Sequence, residues 1–206
     1  KYGVTLGLKG HRTLVAALEA RAEEFPNLSW VDDEAATVTP MEDAVAIATR
    51  HGKALGSRLV VGADGRQSLC RDAAGIGVRR HELNQSALTF NVGHSRPHGN
   101  VSTEFHTPHG PCVFVPLPGN RSSVVWVVAP GEAERLIALG DEELSAAIEK
   151  QSHSILGRTT VEPGRHRFPL AIERPMQIAA NRIALVGESA HVVPPIGAQG
   201  LNMSLA

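Results

Sequence analysis

The sequence predicts an α/β chain, α+β overall, in which an α/β unit is interrupted by an antiparallel sheet with covering helices. Two observations carry this. Leu59-Val60-Val61 and Arg182-Ile183-Ala184-Leu185-Val186 are short apolar runs that each end abruptly at a glycine with an acidic residue close behind, the pattern of a buried strand passing into a loop. Between them the apolar residues alternate with others at period two, as in half-buried antiparallel strands. The first pattern returns after the second, so one unit is split by another.

From His11 to Glu24, Leu14, Val15, Leu18 and Ala22 recur at three- and four-residue spacing, which predicts a helix with one apolar face. Leu28–Val31, Ala36–Pro40 and Ala44–Thr49 read as short strands, separated by turns at Asp32-Asp33 and His51-Gly52. After Leu59-Val60-Val61 comes the turn Gly62-Ala63-Asp64-Gly65, then a helix from Gln67 to Ala74 closed by Gly75. Leu88, Phe90 and Val92, then Val101, Thr103 and Phe105, then Val113, Val115 and Leu117, with Ser123–Val128, form four strands joined by Pro, Gly and Asn turns. Glu132–Leu139 and Asp141–His153 read as helices covering a face or edge of that sheet. Asp141 is expected as N-cap of the second, with Leu144, Ala147 and Ile148 on its buried side. The boundaries expected are 1–82 with 174–206 for the split unit and 83–173 for the insert.

A chain of 206 residues, 42% apolar with net charge −1, describes a folded globular protein rather than a disordered one. No Lys/Arg run exceeds Arg79-Arg80, so nucleic acid is not expected as a partner. No apolar stretch approaches the roughly 20 residues of a membrane span. Cys70 and Cys112 lie far apart with no C-x-x-C spacing, which argues against a disulfide framework and a zinc site and favours a reducing cytoplasm. None of the ten histidines shows a metal-protease or similar spacing, so no metal is expected. The first residue is Lys1 and the last residues, Leu205-Ala206, read as an unfinished helix, so both ends are expected to be cuts.

The two Gly-acid turns are where chemistry is expected, because ligands of open α/β sheets lie outside the carboxyl ends of parallel strands. Gly62 and Gly187 would let a ligand approach the backbone, while Asp64 and Glu188 offer carboxylates that accept from sugar hydroxyls. The competing reading of either turn is a plain strand-to-helix connection, with Asp64 or Ser189 capping the following helix. Further on, Pro194-Pro195-Ile196-Gly197-Ala198-Gln199-Gly200-Leu201-Asn202 stiffens and then opens before a helix starts. Free amides there would suit the negative charge of a reduced flavin's pyrimidine edge. A triphosphate loop is disfavoured, since the G-x-x-x-x-G-K-[ST] spacing is absent.

At these residues the chain resembles the FAD-dependent aromatic-ring hydroxylases. Gly62-Ala63-Asp64-Gly65-Arg66-Gln67-Ser68 through Arg71 looks like their DG motif. Gly187-Glu188-Ser189-Ala190-His191 through Pro194-Pro195 and Gly197–Asn202 resembles their GD motif. The whole length, including Thr107-Pro108-His109-Gly110-Pro111 and Val115-Pro116-Leu117, is similar to the UbiH-like 2-polyprenylphenol hydroxylases of ubiquinone biosynthesis. The resemblance implies a Rossmann-like FAD-binding domain with a sheet-rich substrate domain inserted. It implies that Asp64 and Gly65 lie near the ribityl chain and the NAD(P)H path, with Arg66 and Arg71 supporting that turn. Gly187 and Glu188 would hold a ribityl hydroxyl, Glu188 standing where the family usually has Asp. Pro195 would lie against the isoalloxazine ring, Gly197, Ala198, Gln199, Gly200, Leu201 and Asn202 would face its pyrimidine edge, and Arg12 would match a helix arginine that contacts FAD.

The activity implied is hydroxylation of an aromatic ring, a prenylated phenol in this branch, with FAD as cofactor, NAD(P)H as reductant and O₂ as oxygen source. The flavin carries the difficult step, so no side chain is assigned as catalytic. A polyprenyl substrate implies peripheral contact with the inner membrane and association with other enzymes of the ubiquinone pathway. One departure stands out: no G-x-G-x-x-G follows an apolar strand, and Gly75-Ile76-Gly77 follows a helix instead. The ADP half of FAD would belong to a unit upstream, and these 206 residues by themselves are expected to bind FAD poorly and not to hydroxylate. The alternatives are a halogenase, an epoxidase or a reductase of the same fold, and a non-catalytic paralogue that binds a lipid or a partner hydroxylase.

Overall fold

Alternation of apolar residues builds the larger sheet. The computed structural model describes residues 11–195 and 199–205, without the side chains of residues 11, 12, 199, 201 and 205. These fall into two units, 11–30 with 84–169, and 31–83 with 170–195 and 199–205.

In the first unit, α1 (His11–Glu23) precedes the insert. The strands are the later part of β5 (Val78–His94), β6 (Thr103–Thr107), β7 (Gly110–Leu117) and β8 (Arg121–Val128), antiparallel in the order β5-β8-β7-β6. β9 (Thr159–Val161) pairs with the end of β5. Leu88, Phe90 and Val92 face inward, as the alternation predicts, and meet Val124 and Trp126 of β8. The core is closed by Ala133 and Leu136 of α3 (Pro130–Ile137) and Leu144 and Ile148 of α4 (Asp141–Gln151), so the two helices cover one face.

The structure fixes the inward phase of β7 and corrects one expectation for this unit. On β7 the fully buried residues are Cys112 and Phe114, while Val113 and Val115 are half-buried on the other face. Both phases of β7 are apolar, so hydropathy cannot choose between them; the helices do. The N-cap of α4 is Gly140, not Asp141. The Gly140 N–H donates to the Glu143 carboxylate at 3.2 Å, and Asp141, one residue into the helix, pairs with Arg165. A carboxylate at N1 still benefits from the helix dipole, which is why sequence alone places it equally well at either position.

The second unit contains a hairpin-built sheet of β1 (Ala35–Pro40), β2 (Val45–Thr49) and β3 (Ala54–Ser57), and a smaller one of β4 (Val60–Gly62), β11 (Ala179–Ala180) and β12 (Ile183–Leu185). β10 (His166–Pro175) leads into it, α2 (Leu69–Ala73) follows β4, and α5 (Gln199–Leu205) ends it. Val45, Cys70, Ala74, Ile76, Ile183 and Leu185 form its core. Leu28–Val31 is not a strand: Leu28 closes a turn on Phe25, and Leu28, Trp30 and Val31 are exposed. An apolar run becomes a strand only where a neighbour supplies its ladder partners. Ala54–Ser57 is the converse case, a strand of modest propensity made by its pairing with β2. β11 and β12 are joined by Asn181-Arg182, both at positive φ (49° and 61°), the two-residue turn that matches strand twist.

Both thiols are buried, and burial raises their pKa, Cys70 to about 11 with the Asp64 carboxylate adding to the effect, and Cys112 to about 12. Neither offers a thiolate near neutral pH. Titration with a disulfide reagent at pH 8 should therefore give slow, unfolding-limited reaction of both; a fast stoichiometric thiol in the native protein contradicts this.

Candidate functional site

The two apolar runs are hydrogen-bonded neighbours. β12 pairs with β4 in parallel, Ile183 opposite Val60, Ala184 opposite Val61 and Leu185 opposite Gly62. Turns separated by more than a hundred residues of sequence thus leave the same end of one sheet side by side. Their junction is tied by the Val186 N–H, which donates to the Gly62 carbonyl at 2.9 Å. The wholly buried Ser189 hydroxyl is 2.6 Å from that carbonyl and 2.7 Å from the Val186 carbonyl, its alternative acceptor.

Within the first turn, Asp64 organises the start of α2. One carboxylate oxygen accepts from the Ser68 hydroxyl at 2.6 Å and the other from the Cys70 N–H at 2.9 Å. Ser68 is the N-cap and accepts from the Arg71 N–H at 2.9 Å. The capping reading therefore holds for Ser68, with Asp64 supporting it. Each Asp64 oxygen keeps a second lone pair and the residue is exposed, so it can accept from a ligand as well. Gly65 has φ 77° and Gly187 φ 65°, with open space where a Cβ would stand, so both glycines are required by conformation and leave the backbone accessible. Gly62 is different. A Cβ there would lie 2.5 Å from Cys70 Cβ, so its absence admits α2 rather than a ligand, which corrects the sequence reading of that glycine.

Arg71 is buried, and its guanidinium donates to the Arg66 carbonyl at 2.8 Å and the Ser189 carbonyl at 3.3 Å. It fastens the first turn to the second. Arg66 reaches elsewhere, donating from Nε to Glu173 at 3.1 Å, and Arg80 lies 3.4 Å from the same carboxylate oxygen. Glu173 is buried and was not singled out by sequence reasoning. Its signal is the phase of β10, in which Ala171, Glu173 and Pro175 take the buried positions. A carboxylate in an inward phase demands cations opposite it. Arg66, Gln67, Arg71, Asp72, Arg80 and Glu173 line a cavity of about 460 Å³ with Val78.

Of the second turn, Glu188 is exposed and Gly187–Ser189 form a single 3-10 turn, so Ser189 bonds back to the strands and does not cap a long helix. Pro195 is half-buried, and Gly200 and Asn202 are exposed on α5. Ser204 of α5 lies 3.3 Å from His191. Gly197 and Ala198 lie outside the described residues, as do the side chains of Arg12, Gln199 and Leu201, although the backbones of these three are helical.

Burial by itself would raise the pKa of Asp64, but the Cys70 N–H and Ser68 hydroxyl that donate to it outweigh burial, and it is held below the usual carboxylate value. A depressed folded-state pKa stabilises the fold above the unfolded pKa, and the contribution disappears as pH falls through the folded value. The stability gap between the parent and Asp64→Asn should therefore be full at pH 7 and close below about pH 4. Urea midpoints at both pH values test this, and a pH-independent gap contradicts it.

Comparison with known proteins agrees with this arrangement. The FAD binding domain family matches residues 12–206. The ubiquinone hydroxylase UbiL of Rhodospirillum rubrum is 37% identical over 163 residues, covering 79% of this chain and 38% of that protein. The 3-demethoxyubiquinol 3-hydroxylase of Escherichia coli is 33% identical over 162 residues, covering 79% and 41%. The chain thus spans about two-fifths of the length of these relatives. Among solved structures, pqsL, a probable FAD-dependent monooxygenase from Pseudomonas aeruginosa, superposes with a TM-score of 0.77 over 94% of this chain and 56% of its own, at 21% identity, which shows a shared fold. A match running through both turns and the sheet between them settles the point: the chain belongs to the FAD binding domain family.

Proposed function

We propose that the protein is an FAD-dependent monooxygenase that hydroxylates an aromatic ring, a polyprenylated phenol of ubiquinone biosynthesis, with NAD(P)H as reductant. The observation that carries this reading is the parallel pairing of β4 with β12, which sets Asp64 and Glu188 at adjacent strand ends beside two open glycines. The kinship with UbiL and the 3-demethoxyubiquinol hydroxylase supports the pathway and the substrate class.

The donor set suits a flavin nucleotide: two exposed carboxylates to accept from ribityl hydroxyls, and accessible backbone at Gly65 and Gly187. FAD, when bound, supplies the redox and oxygen-transfer chemistry. The protein's own residues hold and orient it. Asp64 and Glu188 would bind the ribityl chain. Arg71 and Ser189 keep the two turns in register, Pro195 would abut the ring, and the stretch from Gly197 to Asn202, with Ala198, Gln199, Gly200 and Leu201, would supply amides to its pyrimidine edge. Arg66, paired with Glu173, stands at the mouth of the first turn and Arg12 would contact the cofactor from α1. Residues 1–82 and 174–206 would form the cofactor-binding part and the sheet-rich insert, residues 83–173, the substrate-binding part. None of the described helices is long and apolar enough to cross a membrane. A polyprenyl substrate would bring peripheral contact with the inner membrane and association with other enzymes of the ubiquinone pathway.

The test is flavin content, by absorbance and release on denaturation, together with NAD(P)H-dependent hydroxylation of a prenylated phenol, for this chain and for a form extended to the length of its relatives. The extended form should carry FAD and turn over. Absence of flavin from both when FAD is supplied sinks the hydroxylase reading and leaves the non-catalytic paralogue. Flavin with halogenation, epoxidation or reduction in place of hydroxylation would assign a different chemistry to the same fold.

A further inference from the structure

One buried carboxylate joins the first turn to the chain that leaves the second without belonging to either. Glu173 takes an inward position on β10 between Ala171 and Pro175, and its side chain is 8% exposed. Stability does not explain a carboxylate there. Burying an ion pair costs desolvation that its attraction barely offsets, and an apolar side chain of similar volume serves as well or better. What the carboxylate adds is direction, because it decides where its cations point.

The two cations differ in their dependence on it. Arg80 Nη1 lies 3.4 Å from Glu173 Oε1, but Arg80 Nη2 lies 3.3 Å from Glu82, so that guanidinium has a second anchor. Arg66 donates from Nε to Oε1 at 3.1 Å and has no other carboxylate among the described residues. Glu173 therefore sets the direction of Arg66. Arg66 directly follows Gly65, the joint of the first turn that adopts φ 77°. It is held at both ends, its carbonyl by Arg71 at 2.8 Å and its side chain by Glu173.

The backbone of Glu173 reaches the other side. Its N–H donates to the Val192 carbonyl at 3.0 Å and its carbonyl accepts from the Val192 N–H at 2.9 Å, an antiparallel bridge just before Pro194-Pro195. Three residues on, the Met176 N–H donates to the Gly77 carbonyl at 2.8 Å and pins this end of β10. Glu173 also stands in the walls of two cavities, the one of about 460 Å³ beside Arg66 and Arg71 and another of about 640 Å³ beside His191, Val193 and Met203.

On the flavin reading given above, we infer that Glu173 is a positioning residue of the cofactor site, acting through Arg66. Its side chain aims Arg66 and so holds the Asp64-Gly65 turn, while its backbone holds the approach to Pro195. The two halves of the flavin site thus keep one spacing. Without the carboxylate both guanidiniums turn to solvent, since their side chains are already 38% and 53% exposed. The fold persists and the first turn loosens.

The experiment titrates FAD into the flavin-free extended form, parent and variants, with the thermal midpoint of each flavin-free protein as the control for folding. Glu173→Leu should keep the parent's midpoint and bind FAD about tenfold more weakly, the factor that one charge-assisted hydrogen bond supplies. The visible band of its bound flavin should lose fine structure, as a less ordered site requires. Glu173→Gln, which keeps an acceptor but not the charge, should fall between Leu and the parent. In an Arg66→Met background Glu173→Leu should add nothing, because the double-mutant cycle isolates the pair. Parent affinity and spectrum in Glu173→Leu overturn the inference, as does an undiminished tenfold loss in the Arg66→Met background. A weaker affinity matched by a lowered midpoint, with the spectrum unchanged, also overturns it and assigns Glu173 a structural role only. If the parent takes up no FAD, the hydroxylase reading falls together with the inference; FAD bound equally by parent and variants removes the role of Glu173 and leaves that reading intact.

Discussion

Gly62→Ala should destabilise the protein by about 3 kcal/mol, toward the upper end of what overpacking costs, and should reduce flavin retention with it. The added Cβ would stand 2.5 Å from Cys70 Cβ, 3.2 Å from Cys70 Sγ and 3.3 Å from Leu185 Cδ2. The nearest of these is fixed to the α2 backbone and cannot rotate away, so the helix itself must move. That movement drags Ser68 and Arg71, the cap and the cross-link, out of place. Gly65→Ala, one turn further on, meets nothing within 4 Å and pays only for its φ of 77°, about 1 kcal/mol. Denaturant midpoints of the two variants should therefore differ clearly. Cys70→Ala should not rescue Gly62→Ala, because it removes Sγ and leaves Cβ. Equal effects of the two glycine variants would falsify the packing account of Gly62.

Arg71→Met is the second large effect expected, a loss of about 3 kcal/mol with weakened flavin binding in the extended protein. Methionine keeps most of the buried length but strands the Arg66 and Ser189 carbonyls, each of which has a charge-assisted donor in the parent. Arg71→Lys should recover only part of the loss, since one ammonium cannot span two carbonyls with the geometry of a planar guanidinium. Urea denaturation gives the stability and flavin release on dilution gives the coupling. If Met matches the parent in both, Arg71 does not fasten the two turns. The Arg71 Nε is buried without a partner among the described residues, so the full donor capacity of this side chain is not used by the fold.

The two turns are legible in the sequence, and the limits of that reading are physical. Gly-Ala-Asp-Gly and Gly-Glu-Ser after apolar runs announce strand ends, because a buried strand can stop only where polar, flexible residues meet solvent. The role of Gly62 is not legible in the sequence, since a glycine is equally silent about whether a ligand or a helix fills the space it leaves. Glu173 went unnoticed because a single carboxylate in an exposed-looking stretch acquires meaning only when Arg66 and Arg80 are brought to it from far along the chain. Cys112 and Phe114, rather than Val113 and Val115, fill the core for the same reason: both faces of β7 are apolar, and only the position of α3 and α4 distinguishes them.

The sequence by itself determined the alternating strands of the larger sheet, the two helices that follow them and the two turns with their carboxylates, since periodicity and turn chemistry act over a few residues and are written locally. Only the tertiary structure decided that β4 and β12 are parallel neighbours and that Ser189 and Arg71 lock one turn to the other. It also decided that Ala54–Ser57 is a strand while Leu28–Val31 is not. Each of these depends on a hydrogen-bond partner distant in sequence, and no local pattern names its partner.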